Sequence, residues 1–278
     1  MTSSESSTAP DFRALLCVNG AEEHIQLCLL AAADPARGGE AYHLLHFEEH
    51  AIAGRANPVL VPAMQRVLQQ CAIPLELGAL GVACVRGPGS FTGLRLTLSA
   101  CLGLAEALDL PLAGMDYLPL AASAALSRMD DDVQSGSLFI ASHARRRQIY
   151  CQGFSIPGGE PLTRPDVLAL EEVPAFIAAH PGPHYLAGTG LERNKAPLGA
   201  LLADAGLTIS ALTPEQCRPA AATFLAAAPS LSFSRRPIEP LYLRGSDAEE
   251  NLPSIAALRG LSVDEAESKI RRARSNSA

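Results

Sequence analysis

Nine residues in the first half of the chain, Gly87-Pro88-Gly89-Ser90-Phe91-Thr92-Gly93-Leu94-Arg95, separate two segments of opposite pattern. Before them, residues 79–85 form a continuous run of small and β-branched side chains, which is typical of a strand buried on both faces. After them, residues 92–108 carry apolar side chains at helical spacing and end at Asp109-Leu110-Pro111. The pattern predicts a buried parallel strand, a glycine-rich turn and a long helix.

Composition and charge limit the class of function. The 278 residues are 48% apolar, which is enough for one large core or two small lobes. The formal net charge of -7 disfavours tight binding to nucleic acid by this chain alone, because such binding depends on clustered Lys and Arg. The seven cysteines are scattered and form neither a zinc nor a disulfide pattern. Without a basic, apolar leader or an apolar run near ~18 residues, we expect a cytoplasmic protein with no membrane contact.

The flanking segments predict an α/β fold. Asn19-Gly20 is a signal for a tight hairpin between two apolar strands, and Asn57-Pro58 is a signal for the start of a helix. Strands are predicted at 13–18, 24–30, 41–47, 112–115, 138–141, 148–154 and 184–187, and further helices at 117–127, 171–179 and 214–227. Strands followed by strand–helix alternation, twice over, predict two α/β lobes.

The glycine-rich turn has two interpretations when it is taken alone. Backbone N–H groups at the start of a helix can bind an anion. The turn lacks the Gly-Lys-Ser/Thr ending of a P-loop and the spacing of a dinucleotide-binding turn, so its glycines can equally be explained by turn geometry.

The helix after the turn is apolar over an arc of roughly 200°, whereas a one-sided surface helix needs about 100°. Its polar stripe contains Arg95, Ser99 and Glu106. Ser99, Gly103 and Ala107 repeat every fourth residue and would allow another helix to approach closely. The pattern is compatible with a helix that contacts a partner and with a helix internal to one large lobe.

The run Gly87–Arg95 resembles the glycine-rich element of the TsaB (YeaZ) family. A second stretch, Leu241-Tyr242-Leu243-Arg244, is similar to the Pro-Val-Tyr-Leu-Arg element near the end of that family. His143–Tyr150 and Gly188-Thr189-Gly190 resemble two further family elements that lie between them. The resemblance covers residues 13–244.

The resemblance implies a two-lobed actin-like, Hsp70-like ATPase fold with mixed sheets flanked by helices. We expect a disordered tail at 1–12, an N-terminal lobe at 13–113 completed by 214–244, a C-terminal lobe at 114–213 and a polar extension at 245–278. In that extension, Ser262 and Glu265 form a capping box for a final helix.

The function that the resemblance implies is that of a non-catalytic subunit. Such a subunit binds and stabilises a TsaD-like catalytic subunit that transfers threonylcarbamoyl to adenosine beside the tRNA anticodon. A TsaE-like ATPase is expected to join, and tRNA is expected to contact the chain only through the complex. The sequence leaves open a homodimer in the absence of the partner, although an apolar docking face favours one.

The helices after Asn57 and Thr92 are the ones that pair with TsaD in the family. The residues expected at the partner interface are Phe91, Leu94, Leu98, Cys101, Gly103, Ala105, Leu60 and Met64. The loop motif comprises Gly87, Pro88, Gly89, Ser90, Thr92, Gly93 and Arg95. No catalytic residue, metal ligand or cofactor is assigned.

Three departures from the family pattern bear on activity. The opening Asp-Thr-Ser is replaced here by Val18-Asn19-Gly20, so the carboxylate expected near phosphate and magnesium is missing. The His-Ser-Glu element is replaced by Ala56-Asn57-Pro58, and the Asp of Asp-Ala-Arg by His143. These changes favour a scaffold over an ATPase and leave open whether a nucleotide binds between the lobes.

An enzyme is the alternative. It would be a metal-dependent, glycoprotease-like peptidase or a nucleotide-dependent phosphotransferase. His46 and His50 have the spacing that puts two imidazoles on one helical face, as in zinc and iron sites, although no third ligand is evident. Cys84 could be a nucleophile but fits a packed thiol better. The arginines at 145–147 and the basic end at 269–274 could bind phosphate or form solvated surface.

Overall fold

The computed structural model describes residues 12–33, 41–52, 57–74, 78–130, 132–244 and 252–275. Three predicted features lie outside them: the tail at 1–11, the turn at 34–39 and the divergent residue Ala56. The chain divides into two compact units, Met1–Leu241 and Tyr242–Ala278. The first unit contains two mixed five-stranded sheets flanked by helices, so the predicted α/β architecture is confirmed.

The first sheet contains β1 (Ala14–Asn19), β2 (His24–Ala32), β3 (Tyr42–Ala51), β4 (Leu80–Gly87) and β5 (Leu112–Asp116), in the order β3-β2-β1-β4-β5. β1 pairs antiparallel with β2 and parallel with β4. Residues 20–23 connect β1 and β2, so the hairpin lacks a two-residue turn at Asn19-Gly20. Asn19 pairs with Gln26 as part of β1, and its Oδ1 accepts from the N–H of Ala21 at 3.0 Å.

The helices α1 (Asn57–Gln70) and α2 (Phe91–Leu108) cover one face of the first sheet, and α3 (Tyr117–Leu126) packs on its other face. The outer core, between the sheet and the α1–α2 pair, is built from Leu16, Val18, Val82, Val67 and Cys101 among others. α2 has the length and the mean hydropathy, 1.2, of a membrane-crossing helix. A third of it is buried, and it packs on β1 and β4, as a core helix does.

The second sheet contains β6 (Gly136–Arg145), β7 (Gln148–Ile156), β8 (Asp166–Ala169), β9 (His184–Ala187) and β10 (Ile209–Ala211), in the order β10-β9-β6-β7-β8. Its helices are α4 (Val173–Ala178), α5 (Thr189–Arg193) and α6 (Lys195–Asp204). The predictions missed β8, β10 and α5, because strands of three or four residues and a helix of five carry too little periodicity to detect. They also missed α6, although it has ten residues.

The predicted helix at 214–227 is wrong in one respect, since it is two helices, α7 (Pro214–Cys217) and α8 (Ala221–Ala227). Pro219 breaks it, because proline has no N–H and forces the preceding residue out of the helical region. Arg218 accordingly has an extended ψ of 122°. α8 packs on β2 and β3 of the first sheet, and α7 packs on α3.

The core between the two sheets is continuous. Around α3 it combines Leu15, Ala83 and Val85 of the first sheet with Leu138, Ile140 and Phe154 of the second. A third cluster packs the far face of the second sheet against α4 and α6. The first unit therefore has five layers. They are α1 with α2, the first sheet, a central layer that contains α3, the second sheet, and α4 with α6.

The second unit contains α9 (Leu252–Leu258) and α10 (Val263–Ser275). The predicted capping box at the start of α10 is confirmed: Glu265 N–H donates to Ser262 Oγ at 3.2 Å, and Ser262 N–H donates to Glu265 Oε2 at 2.8 Å.

Candidate functional site

The glycine-rich turn leads from the end of β4 into α2 and packs against the β1–β2 loop. Ser90 is the N-cap of α2, and its Oγ accepts from the N–H of Gly93 at 3.3 Å. The N–H of Ser90 donates to the carbonyl of Ala21 at 2.7 Å. The backbone amide that would face an anion at this position is therefore bonded to the protein itself.

The glycines of the turn are required by this close packing. A Cβ at Gly89 would lie 2.2 Å from the carbonyl oxygen of Ala21, and one at Gly93 would lie 2.2 Å from that of Gly20. Gly87 has a φ of +124°, which side-chain-bearing residues rarely adopt. Contact between two backbone loops thus explains these glycines without a ligand.

Five of the predicted interface side chains belong to the core of this chain. Leu94, Cys101 and Ala105 of α2 and Leu60 and Met64 of α1 are each at most 5% exposed. They hold the two helices on the sheet. Of the five, only Met64 also lines the groove described below, so a partner that docks on α1 and α2 would contact mainly other residues of these helices. Periodicity marked the apolar arc but not the part of it that faces the chain's own sheet.

The exposed side of α2 carries the small-residue repeat. Ser99, Gly103 and Ala107 are all exposed, and a Cβ added at Gly103 would meet nothing within 4 Å. The predicted polar residues Arg95 and Glu106 are exposed as well. At the start of the helix, the Phe91 ring is 39% exposed, and the guanidinium carbon of Arg95 lies 3.9 Å from its centroid.

An apolar groove lies between α1 and α2, with a volume of about 420 Å³. Ala100 and Leu104 of α2 form one wall. The other wall contains Val61, Met64, Gln65, Leu68, Gln69, Ala72 and Ile73. Val61 is 47% exposed, which is unusual for an aliphatic residue in a packed helix. The groove has the size and the apolar lining of a binding surface.

A second concave region, the inter-sheet cleft, has a volume of about 200 Å³. It lies where the β1–β2 loop faces α5 and the α7 segment. Four carboxylates line it, from Glu22, Glu23, Glu192 and Glu215, together with the guanidinium groups of Arg193 and Arg218. An excess of carboxylates disfavours the phosphates of a nucleotide.

Glu22 reaches across this cleft from the first sheet to the second. Its Oε1 accepts from Ser142 Oγ at 2.5 Å and from Thr189 Oγ1 at 3.0 Å. Burial raises the pKa of Glu22 to about 7, although the two hydroxyl hydrogen bonds oppose that shift. The neighbouring Glu23 forms an ion pair with Arg193 of α5.

A buried amide follows Val18, the residue at which the family carboxylate is missing. Asn19 is 3% exposed, and its Nδ2 donates to Gln26 Oε1 at 2.8 Å. Gln26 Nε2 in turn donates to Glu49 Oε2 at 2.6 Å and to the carbonyl of Pro219 at 2.7 Å. These hydrogen bonds tie β1 and β2 to the segment between α7 and α8.

His46 and His50 both lie on the strand β3, so their spacing does not put them on a helical face. Both imidazoles contact the carboxylate of Glu48, at 3.3 Å and 3.0 Å, and Arg66 of α1 donates to the same carboxylate at 2.7 Å. Burial by itself would raise the pKa of the Glu48 carboxyl. The hydrogen bonds from His50 and His46 outweigh that effect, so the pKa of Glu48 is lowered. Within the described ranges, no group of three or more His, Cys, Asp or Glu residues could hold a metal ion.

The remaining candidates have structural surroundings. Cys84 is fully buried in β4. Arg145 ends β6, and Arg146 and Arg147 form the turn into β7, where Arg147 forms an ion pair with Glu171. The basic residues at 269–274 lie on α10 of the second unit.

Sequence reasoning missed Glu22 and Val61. Neither belongs to a motif, and a Glu in a loop or a Val in a helix carries no signal of its own. Thr189 was noted only as part of a turn, which proves to be the start of α5, with Gly188 at a φ of +111°.

Sequence comparisons match this chain to a known family model and to proteins of two mycobacteria. A family model described as TsaD, tRNA N6-adenosine threonylcarbamoyltransferase, matches residues 53–173. Uncharacterized proteins of Mycobacterium tuberculosis and Mycobacterium bovis are each 30% identical over 195 residues, which cover 68% of this chain and 75% of the relative.

Two solved structures from Pseudomonas aeruginosa share the fold. YeaZ is 22% identical with a TM-score of 0.54, and a protein with similarity to peptidase YeaZ is 21% identical with a TM-score of 0.59. Each alignment covers 99% of the solved chain and 83% of this one. The chain therefore has the fold of these structures, and the predicted α/β fold with mixed sheets flanked by helices is confirmed. About a sixth of the present chain has no counterpart in them.

Proposed function

The chain belongs to the TsaB (YeaZ) family, and on that premise we propose that it is a non-catalytic subunit for tRNA modification. It binds and stabilises a TsaD-like catalytic subunit through the exposed sides of α1 and α2. The TsaD-like subunit transfers threonylcarbamoyl to adenosine beside the tRNA anticodon.

The observation that carries the proposal is the exposed apolar groove between α1 and α2. Apolar surface of this kind on an otherwise well-packed domain marks a binding surface. Gly103 lies beside it with open space around its Cα, so a partner helix can approach the backbone of α2. Close approach of two helices increases the dispersion contacts that each of them makes.

The inter-sheet cleft supports a non-catalytic role. In the actin-like fold that the family implies, a nucleotide would bind between the lobes. Here the cleft of about 200 Å³ is spanned by Glu22 and lined by further carboxylates, and it is smaller than the ~300 Å³ at which small-molecule pockets begin. These features disfavour the alternative of a nucleotide-dependent enzyme.

The test is a binding experiment on Gly103→Arg. The arginine would project from the exposed face of α2 without a clash inside the chain, so it should block a partner helix and leave the fold intact. Leu98→Glu is a poorer choice, because Leu98 packs against two of the core clusters. The matched control is Gly199→Arg, since Gly199 is an exposed glycine of α6 that also has nothing within 4 Å of a Cβ.

We expect the wild type and Gly199→Arg to bind the TsaD-like subunit of the same organism equally in calorimetry. Gly103→Arg should bind about 100-fold more weakly, or about 2.7 kcal/mol, with unchanged circular dichroism. If Gly103→Arg folds and binds the TsaD-like subunit as tightly as the wild type does, α2 is not part of the interface. A wild type that does not bind the TsaD-like subunit would overturn the proposed function.

Three further assignments follow from the family and one, the homodimer, from the apolar groove. A TsaE-like ATPase joins the complex, and tRNA reaches this chain only through its partners, in keeping with the net charge of -7. The cytoplasm is the proposed location. Without its partner, the chain forms a homodimer through the same groove.

A further inference from the structure

The inter-sheet cleft is bridged by a short chain of hydrogen bonds from three elements. Glu22 belongs to the β1–β2 loop, Ser142 to the end of β6 and Thr189 to the first position of α5. The N–H of His143 donates to Thr189 Oγ1 at 3.0 Å. Glu22 thereby connects the first sheet to two elements of the second sheet at once.

The direction of these hydrogen bonds can be assigned. Thr189 Oγ1 accepts from the N–H of His143, so its own hydrogen is free to point at Glu22. Ser142 also donates to Glu22, and both donors meet the same oxygen, Oε1. When Glu22 is protonated on Oε2, its Oε1 can still accept both hydrogen bonds. The neutral acid satisfies both hydroxyls and places no negative charge among the other carboxylates.

The charged and titratable groups around Glu22 come from every element of the cleft. Arg193 is the nearest cationic group on α5, but it forms its ion pair with Glu23. His143 is partly buried, and desolvation by burial lowers its pKa. The other groups that face the cleft are His24, Tyr117, Glu192, Glu215, Cys217 and Arg218.

We propose that Glu22 is a proton-dependent latch between the two sheets. Protonated Glu22 holds the β1–β2 loop against β6 and α5. Its ionisation loosens that contact and lets the cleft open. This inference does not rest on the proposed function, because it concerns the cleft and not the groove.

The raised pKa of Glu22 determines how closure of the cleft depends on pH. The pKa of Glu22 is about 7 in the closed cleft, raised by burial from its usual value of 4.5. In an open cleft the carboxyl is solvated and its pKa returns toward that value. A raised pKa means that the closed state binds the proton more tightly, so closure is most stable below the usual value and weakens as the pH rises to about 7.

Hydrogen exchange followed by mass spectrometry tests the latch on the full chain. Exchange in the segments 20–24, 141–143 and 188–190 should be measured from pH 5 to pH 8 and corrected for the intrinsic pH dependence of amide exchange. We expect the opening constant of these segments to rise on the order of 50-fold over that range. Segments of α1 and α2 should change little.

Glu22→Gln is the decisive variant, because it keeps the shape and the acceptor oxygen and cannot titrate. Its opening constant should be flat between pH 5 and pH 8. Glu106→Gln is the control, since Glu106 is an exposed carboxylate of α2 outside the cleft; it should keep the rise. Thr189→Val removes a hydrogen bond that lowers the pKa of Glu22, so it should move the midpoint to higher pH.

Two results would overturn the latch. One is a wild type whose corrected exchange in these segments does not change between pH 5 and pH 8. The other is a rise that persists unchanged in Glu22→Gln. If Glu22→Gln does not fold, the test is the pH midpoint of the rise in the opening constant of Thr189→Val. A midpoint equal to that of the wild type would exclude Glu22 as the titrating group.

Discussion

The groove between α1 and α2 and the inter-sheet cleft are both concave, but they are lined in opposite ways. The groove is apolar and is not filled by side chains of the residues that the structure describes. The cleft is polar and is crossed by Glu22, while Asn19 and Gln26 bond to one another beside it. In the cleft, the protein's own groups satisfy each other. In the groove, burying the exposed apolar surface requires a second molecule.

This difference in lining determines what each region contributes to the protein. A region whose polar groups are internally satisfied contributes to stability and to internal motion, whereas one with unsatisfied apolar surface contributes to association. Substitutions that separate these two contributions test the comparison directly.

The largest effect is expected for Gly93→Ala, at the loop contact beside the cleft. The new Cβ would lie 2.2 Å from the carbonyl oxygen of Gly20, so α2 and the β1–β2 loop would have to separate. We expect a loss of roughly 3 kcal/mol or more in the free energy of unfolding by urea. Gly199→Ala is the control. Equal stability of the two variants would show that the loop contact is not required.

The next effect concerns the pH dependence of stability. Since the pKa of Glu22 is raised to about 7, the wild type should lose stability as the pH rises from about 4.5 to about 7. We expect a loss on the order of 2 kcal/mol for this partly solvated group. Glu22→Gln should abolish that part of the slope in urea titrations. An identical slope in both proteins would contradict the comparison.

A smaller effect is expected in the groove for Val61→Glu. Val61 is 47% exposed, so a charge there should cost within about 0.5 kcal/mol of stability. It should weaken binding of a TsaD-like subunit about 10-fold, or about 1.4 kcal/mol, because the carboxylate would be desolvated on docking. Calorimetry measures the binding, and Val263→Glu, at an exposed valine of α10, is the control. Equal binding by both variants would exclude the groove.

The smallest effect is expected for Gly103→Ala, and it is a gain. The position is exposed, helical and free of neighbours, so alanine should stabilise the chain by about 1 kcal/mol. Binding of the TsaD-like subunit should weaken no more than a few-fold, since a methyl group is much smaller than the arginine side chain. A loss of stability in thermal unfolding would show that the backbone of α2 is strained at this position.

Much of the fold was accessible from the sequence because its central elements are long and strongly patterned. β4 and α2 were predicted within two residues at each end, and the resemblance of Gly87–Arg95 led to the correct fold. The short elements β8, β10 and α5 were missed. The split at Pro219 was missed as well, although proline within a helical pattern is itself a signal.

The functional surfaces were less accessible. Periodicity marked the apolar arc of α2, but it could not distinguish Cys101, which faces the sheet, from Leu104, which lines the groove. The spacing of His46 and His50 did not reveal their contact partner, since it is the strand β3 that places both imidazoles on Glu48.

The sequence by itself determined the class of this protein, its apolar core segments and its glycine-rich turn, because these depend on local pattern and on residue types that few structures tolerate. Only the tertiary structure decided which apolar residues are left exposed and that Glu22 meets Ser142 and Thr189 across the cleft. Those contacts join residues more than a hundred positions apart, and no local propensity specifies them. They arise when α3 packs two separate sheets into one core.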